Sequence, residues 1–171
     1  MEIHKYEKIW LAGALLLIVG FIATVSYGAV GAGIEMVNDE GGQVDPASLE
    51  EHPKFGEPGT YQTGENEYDV YVIAQQFSFQ PGTQQPIRVP AHSTVTFHVT
   101  SADVIHGFEV VGTNANTMAI PGQVATITVE VDEPTEYGLL CNEYCGSAHH
   151  AMEGRLEVVP QSEWNESMAV N

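Results

Sequence analysis

From Cys141 to Met152 the sequence reads Cys-Asn-Glu-Tyr-Cys-Gly-Ser-Ala-His-His-Ala-Met, which places both cysteines of the 171-residue chain within twelve residues of His149, His150 and Met152. Thiolate, imidazole and thioether are the donors of soft-metal sites. A disulfide between Cys141 and Cys145 would suit an oxidising compartment, but it closes a very short loop, gives little chain-entropy stabilisation and leaves His149 and Met152 without a role. Structural zinc draws on four Cys or His ligands and has no use for Met152. Copper electron-transfer sites combine thiolate, imidazole and a long, weak thioether bond, and so use every donor type present. A mononuclear blue site needs one cysteine. Two cysteines four apart suggest thiolates bridging two coppers, each with its own imidazole, and His106 in Ser101-Ala-Asp-Val-Ile-His-Gly-Phe108 supplies the second.

Such donors need a rigid frame. From Asp69 onward the chain breaks into short β-rich runs separated by turn residues: 69–74, 87–90, 94–100, 104–111, 124–131, 136–141 and 154–159. Strict alternation over Thr94–Thr100 puts Val95, Phe97 and Val99 on one face, and Thr94, Thr96, His98 and Thr100 on the other, with His98 toward solvent. Seven runs in this length predict an all-β, two-sheet sandwich whose loops gather at its ends and can hold a site.

Ahead of the sandwich, residues 9–34 carry no charge and read as one transmembrane helix, with Trp10 and Tyr27 as interfacial anchors. Residues 1–8 form a short N-terminal segment, 35–64 an acidic Gly/Pro-rich linker that includes a solvated His52, 65–160 the folded domain and 161–171 a tail. A signal peptide with its basic start at Lys5 and Lys8 and its cleavage site at Ala29-Val30-Gly31 would equally send the remainder outward. Lys5 and Lys8 before the span, against Glu35, Asp39 and Glu40 after it, predict a cytoplasmic N-terminus and a domain on the outer face of the cell membrane.

The chain carries 23 acidic and 5 basic residues, a net charge of −18 that lies entirely beyond residue 8, which excludes nucleic acid as a partner. Only Lys54, Arg88 and Arg155 remain in the exported part, a depletion expected of a protein from a halophile, since at 1 M salt the Debye length is about 3 Å and acidic self-repulsion is muted.

The two motifs, C-x-E-x-C-G-x-x-H-x-x-M at 141–152 and S-x-D-V-I-H-G-F at 101–108, resemble the binuclear CuA domain of cytochrome c oxidase subunit II. The single N-terminal span, the start Tyr6–Ala12 and the stretch Gln76–Pro81 are most similar to the single-span subunit II of B-family haem-copper oxidases. The resemblance implies a cupredoxin-like Greek-key sandwich. It also implies that Cys141 and Cys145 bridge the coppers, that His106 and Met152 complete one, and that His149 and the Glu143 carbonyl complete the other. It assigns no role to His150. Phe77 and Phe79 would lie beside the copper site where an electron donor docks, although residues two apart in a strand share a face and can equally be core. Asp103, Asn142 and Gly146 adjoin the ligands and are expected to tune them.

The implied role is uptake of electrons from an external donor, a cytochrome c or a small blue copper protein, and their delivery to haem in subunit I, where oxygen becomes water. A free-standing, membrane-anchored CuA carrier is the alternative. The chain has no C-x-x-C-H haem-attachment motif, so haem is expected in the partner subunit only.

Overall fold

The computed structural model describes residues 4–30, 37–38, 41–165 and 168–169. Two compact units divide the chain, Met1–Ile34 and Glu35–Asn171.

In the first unit, helix α1 spans Lys5–Val30. Its start is tied by the His4 N–H donating to Glu7 Oε2 at 2.8 Å, and an acid in a first turn also complements the helix dipole. The apolar residues run all round the helix instead of forming a stripe, the pattern of a helix surrounded by hydrocarbon. Leu17 is 77% exposed, and Leu16, Phe21 and Ile22 are exposed as well. At 1.5 Å per residue, its 26 residues rise about 39 Å, enough to cross a core of about 30 Å. The helix begins four residues before the predicted span, so Lys5, Glu7 and Lys8 ride on its first turns. Residues 31–34 lie outside the described residues.

The second unit is a sandwich of two sheets. The strands are β1 (Val37–Asn38), β2 (Thr60–Gly64), β3 (Glu67–Gln75), β4 (Ser78–Gln80), β5 (Ile87–Pro90), β6 (Ser93–Ser101), β7 (His106–Val110), β8 (Asn116–Ala119), β9 (Ala125–Val131), β10 (Thr135–Leu140) and β11 (Glu153–Val159). One sheet has the order β1-β9-β6-β3-β2, with β4 also on β3, and the other β5-β11-β10-β7-β8. Most pairs are antiparallel, but β3 with β6 and β5 with β11 are parallel, because the connections between these partners pass through other strands. The inner faces meet in one core in which Val95, Phe97 and Val99 pack with Val70, Val72, Phe108, Leu139 and Leu156.

Two expectations need correction. His98 does lie on the outer face of β6, but that face is covered: its side chain is 18% exposed, stacks on Tyr71 at 4.5 Å and places Nε2 3.4 Å from Asp69 Oδ2. The supposed linker is structured over residues 41–64. There Leu49 and Phe55 are buried with Ile73 and Val124, and Phe55 meets Tyr71 edge-on. Within this strap His52 is half-buried and its Nδ1 accepts the N–H groups of Lys54 at 3.2 Å and Phe55 at 3.1 Å. The anchors fall at irregular intervals, so the strap has no period by which a sequence reading could detect it.

Candidate metal centre

Three neighbouring strands of the second sheet bring the donors together. His106 opens β7, Cys141 follows β10 and Met152 precedes β11, with β10 paired to both flanking strands. Leu140 lies opposite Glu109 on one side and Glu153 on the other. Immediately beyond, Cys141 N–H donates to Met152 O at 3.3 Å and closes the mouth of the 141–152 loop. A one-turn 3-10 segment, His149–Ala151, then turns the loop back toward β11.

Inside this loop the two thiols are free, with Sγ atoms 3.8 Å apart, about twice a disulfide bond length. Both are buried, as are His106 and Met152, and His106 is 0% exposed. Cys141 Sγ lies 3.8 Å from His106 Nδ1 and donates to the Glu143 carbonyl at 3.1 Å. Cys145 Sγ lies 3.6 Å from His149 Nδ1 and 3.7 Å from Met152 Sδ. Each sulfur therefore has one imidazole nitrogen and one weaker donor beside it. The donor atoms of His106, Cys141 and Cys145 all fall within 4.8 Å of one another. These residues fit a thiophilic metal on chemistry alone: a buried pair of unlinked thiols faced by two imidazoles and a thioether suits copper better than an oxygen-seeking cation. All six expected donors converge, Glu143 through its carbonyl while its side chain is exposed.

The surroundings prepare the donors. Asp103 Oδ1 is 2.8 Å from His106 Nε2, and the carboxylate also accepts the backbone N–H groups of Gln76 at 2.7 Å and Val104 at 2.6 Å. Burial raises its carboxyl pKa, but the hydrogen bonds from His106, Gln76 and Val104 outweigh that and hold it below the usual carboxylate range. A carboxylate at Nε2 keeps the proton there and leaves Nδ1 free to face the thiols. Burial, reinforced by the neighbouring Cys141 thiol, pushes Cys145 up to about 11. A metal must therefore displace its proton on binding. Asn142 Nδ2 donates to Glu109 Oε2 at 3.1 Å, tying the cysteine loop to β7. At Gly107 a Cβ would overlap the Asn142 side chain, so only glycine admits this approach.

Of the two aromatic residues expected beside the site, Phe77 is half-buried against the cysteine loop: a Cβ on Gly146 would lie 3.1 Å from its ring. Phe79 is 2% exposed and packs edge-on against Phe108, so it is core and cannot meet a donor. The two do not share a setting because Phe77 precedes β4 and lies in the turn. His150, to which the resemblance gives no role, is exposed. Tyr144, 75% exposed between two expected donor positions and 5.9 Å from the His149 ring, was not singled out from sequence, nor was Gln76. A single polar or aromatic residue in a turn carries no periodic signal.

Comparison with known proteins widens this local picture. Residues 60–159 match the family described as cytochrome c oxidase subunit II, periplasmic domain. The cytochrome c oxidase subunit 2 of Thermus thermophilus is 40% identical over 166 residues, which cover 91% of this chain and 93% of the relative. A chain of a haem-copper terminal oxidase dimer superimposes with a TM-score of 0.70 at 32% identity, covering 91% of this chain and 100% of that one. The periplasmic domain of subunit II of the Bradyrhizobium japonicum cytochrome oxidase shares the cupredoxin-like fold, with a TM-score of 0.51 at 21% identity over 56% of this chain and 86% of that one. Because the likeness extends over nearly the whole length and is not confined to the ligand loop, the chain belongs to the cytochrome c oxidase subunit II family.

Proposed function

We propose that this chain is the electron-accepting subunit of a membrane-bound terminal oxidase and holds a binuclear copper centre. Cys141 and Cys145 would bridge the pair, His106 and Met152 would serve one ion, and His149 and the Glu143 carbonyl the other. The observation that carries the reading is the placement of two unlinked, buried thiols 3.8 Å apart, each with an imidazole Nδ1 beside it. When bound, the copper pair supplies a one-electron carrier. The chain's own residues do the rest: the ladder of β7, β10 and β11 fixes the donor spacing, Asp103 orients His106, and burial excludes water from both sulfurs. A donor set held in place before and after electron transfer keeps rearrangement small, the condition for rapid exchange.

Membership of the family supports a haem-bearing subunit I as the partner that reduces oxygen; the electrons would come from an external donor, a cytochrome c or a small blue copper protein. Helix α1 would anchor the chain in the cell membrane with its N-terminus in the cytoplasm, given Lys5 and Lys8 before the span and acids after it. The acidic surface is read as adaptation to concentrated salt. The test is the copper content and electron paramagnetic resonance spectrum of the full chain in detergent and high salt. Two coppers per chain, with hyperfine structure from one unpaired electron shared by both nuclei, support the reading. One copper, or none with a Cys141–Cys145 disulfide, refutes it. Copurification with a haem subunit separates an oxidase component from a free-standing carrier.

A further inference from the structure

The turn between β3 and β4 makes a contact that lies outside both ligand motifs. Gln76 sits on this turn with its side chain at the surface. Its backbone N–H donates to Asp103 Oδ2 at 2.7 Å, and Asp103 Oδ1 holds His106 Nε2 at 2.8 Å. Its side-chain Nε2 donates to the carbonyl oxygen of Cys145. One residue thus reaches both donor loops, the one carrying His106 and the one carrying Cys145. The close approach depends on Gly146, whose φ is +135° and at which a Cβ would lie 2.8 Å from Gln76 Nε2. An exposed glutamine has water as a ready partner, so an amide directed at the backbone of a donor residue is a specific arrangement.

We propose that Gln76 is a positioning residue of the metal centre, its side-chain amide clamping the Cys145 turn to the loop that carries His106. The clamp is a property of the fold. Its bearing on copper rests on the functional reading above, and the test separates the two.

Gln76→Ala removes the donor. Gln76→Glu keeps the length but offers a carboxylate, which accepts only and opposes the Cys145 carbonyl. In the metal-free full-length chain, hydrogen exchange of the amides in 145–152 should quicken about threefold to tenfold in both variants, the range set by the net worth of one hydrogen bond. The amides of β6 and β9 should exchange as in the wild type. In the copper-loaded chain, release to a chelator should quicken by a similar factor, and the hyperfine pattern and reduction potential should shift. Wild-type exchange over 145–152 in both variants overturns the proposal. So does recovery of wild-type behaviour in Gln76→Glu alone, which would mean that the side chain acts by bulk. If the wild type itself takes up no copper pair, the copper reading falls while the exchange data still decide for or against the clamp.

Discussion

Asp103→Asn tests how far the site is built by groups that never touch the metal. The carboxylate accepts hydrogen bonds from His106 Nε2 at 2.8 Å, Gln76 N at 2.7 Å and Val104 N at 2.6 Å, and a longer one from Ser101 Oγ at 3.4 Å. The amide of an asparagine has one acceptor oxygen and one donor nitrogen. If its oxygen takes the Oδ1 position and serves His106 and Val104, its NH2 confronts the Gln76 N–H; if it flips, the NH2 confronts His106 and Val104. One donor-against-donor contact is unavoidable, and the surviving bonds lose their charge assistance. With hydrogen bonds to charged groups worth about 1.5–3 kcal/mol, the metal-free chain should lose about 2–3 kcal/mol. At roughly 3 °C per kcal/mol for a domain of this size, its melting temperature should fall by roughly 6–9 °C. Copper affinity should drop about 10- to 100-fold, the usual cost of removing a carboxylate behind a ligating histidine. Thermal denaturation of the metal-free chain and competition with a copper chelator measure the two effects. Asp69→Asn, whose carboxylate faces His98 instead, is the control and should leave copper affinity unchanged. If Asp103→Asn matches the wild type in both assays, the carboxylate does not organise His106 and the argument fails.

Further expectations concern the frame. Gly107→Ala forces a methyl group into Asn142 and should destabilise the domain by about 1–3 kcal/mol, read as a lower denaturation midpoint, with copper loading impaired through the displaced Cys141–Asn142 backbone. Burial raises the pKa values of Tyr61, Tyr68 and Tyr71 above the ordinary 10.0. The folded chain therefore keeps protons that the unfolded chain releases. Their stabilising contribution is complete below about pH 10 and lost as pH rises through the raised folded values; denaturation midpoints across this range should show Tyr71→Phe flattening the decline. Lowering salt from molar to about 0.1 M lengthens the Debye length to about 10 Å, so the acidic surface should repel itself and the melting temperature should fall. A melting temperature that holds would remove the salt-adaptation reading.

The seven predicted runs all became strands, because each carries β-branched or aromatic residues in alternation or in a short apolar block. The strands that escaped notice, β1, β2, β4 and β8, are two to five residues long and contain Gly, Gln, Asn and Ser. They are strands because a neighbour offers hydrogen bonds, and no local propensity announces that. The candidate donors stood out for the opposite reason: Cys, His and Met at fixed spacing are chemically distinctive wherever they occur. The strap over the outer sheet face and the Gln76 contact were not legible. Both depend on which distant residues the fold brings near, such as Phe55 against Tyr71 or Gln76 against Cys145.

The pairing of Leu140 with Glu153, one step outside the Cys141–Met152 contact, makes the 141–152 loop a detachable cassette. Its two ends are joined by the sheet before any donor is counted, so its interior can change in length or content without breaking a ladder hydrogen bond. The strand pairing would therefore survive a loop of another length, whereas a substitution at Cys141, Cys145 or Met152 also alters the main core, to which all three belong. The same seam marks where a foreign loop could be spliced in, with Leu140 and Glu153 as the cut points and His106 waiting on the adjoining strand.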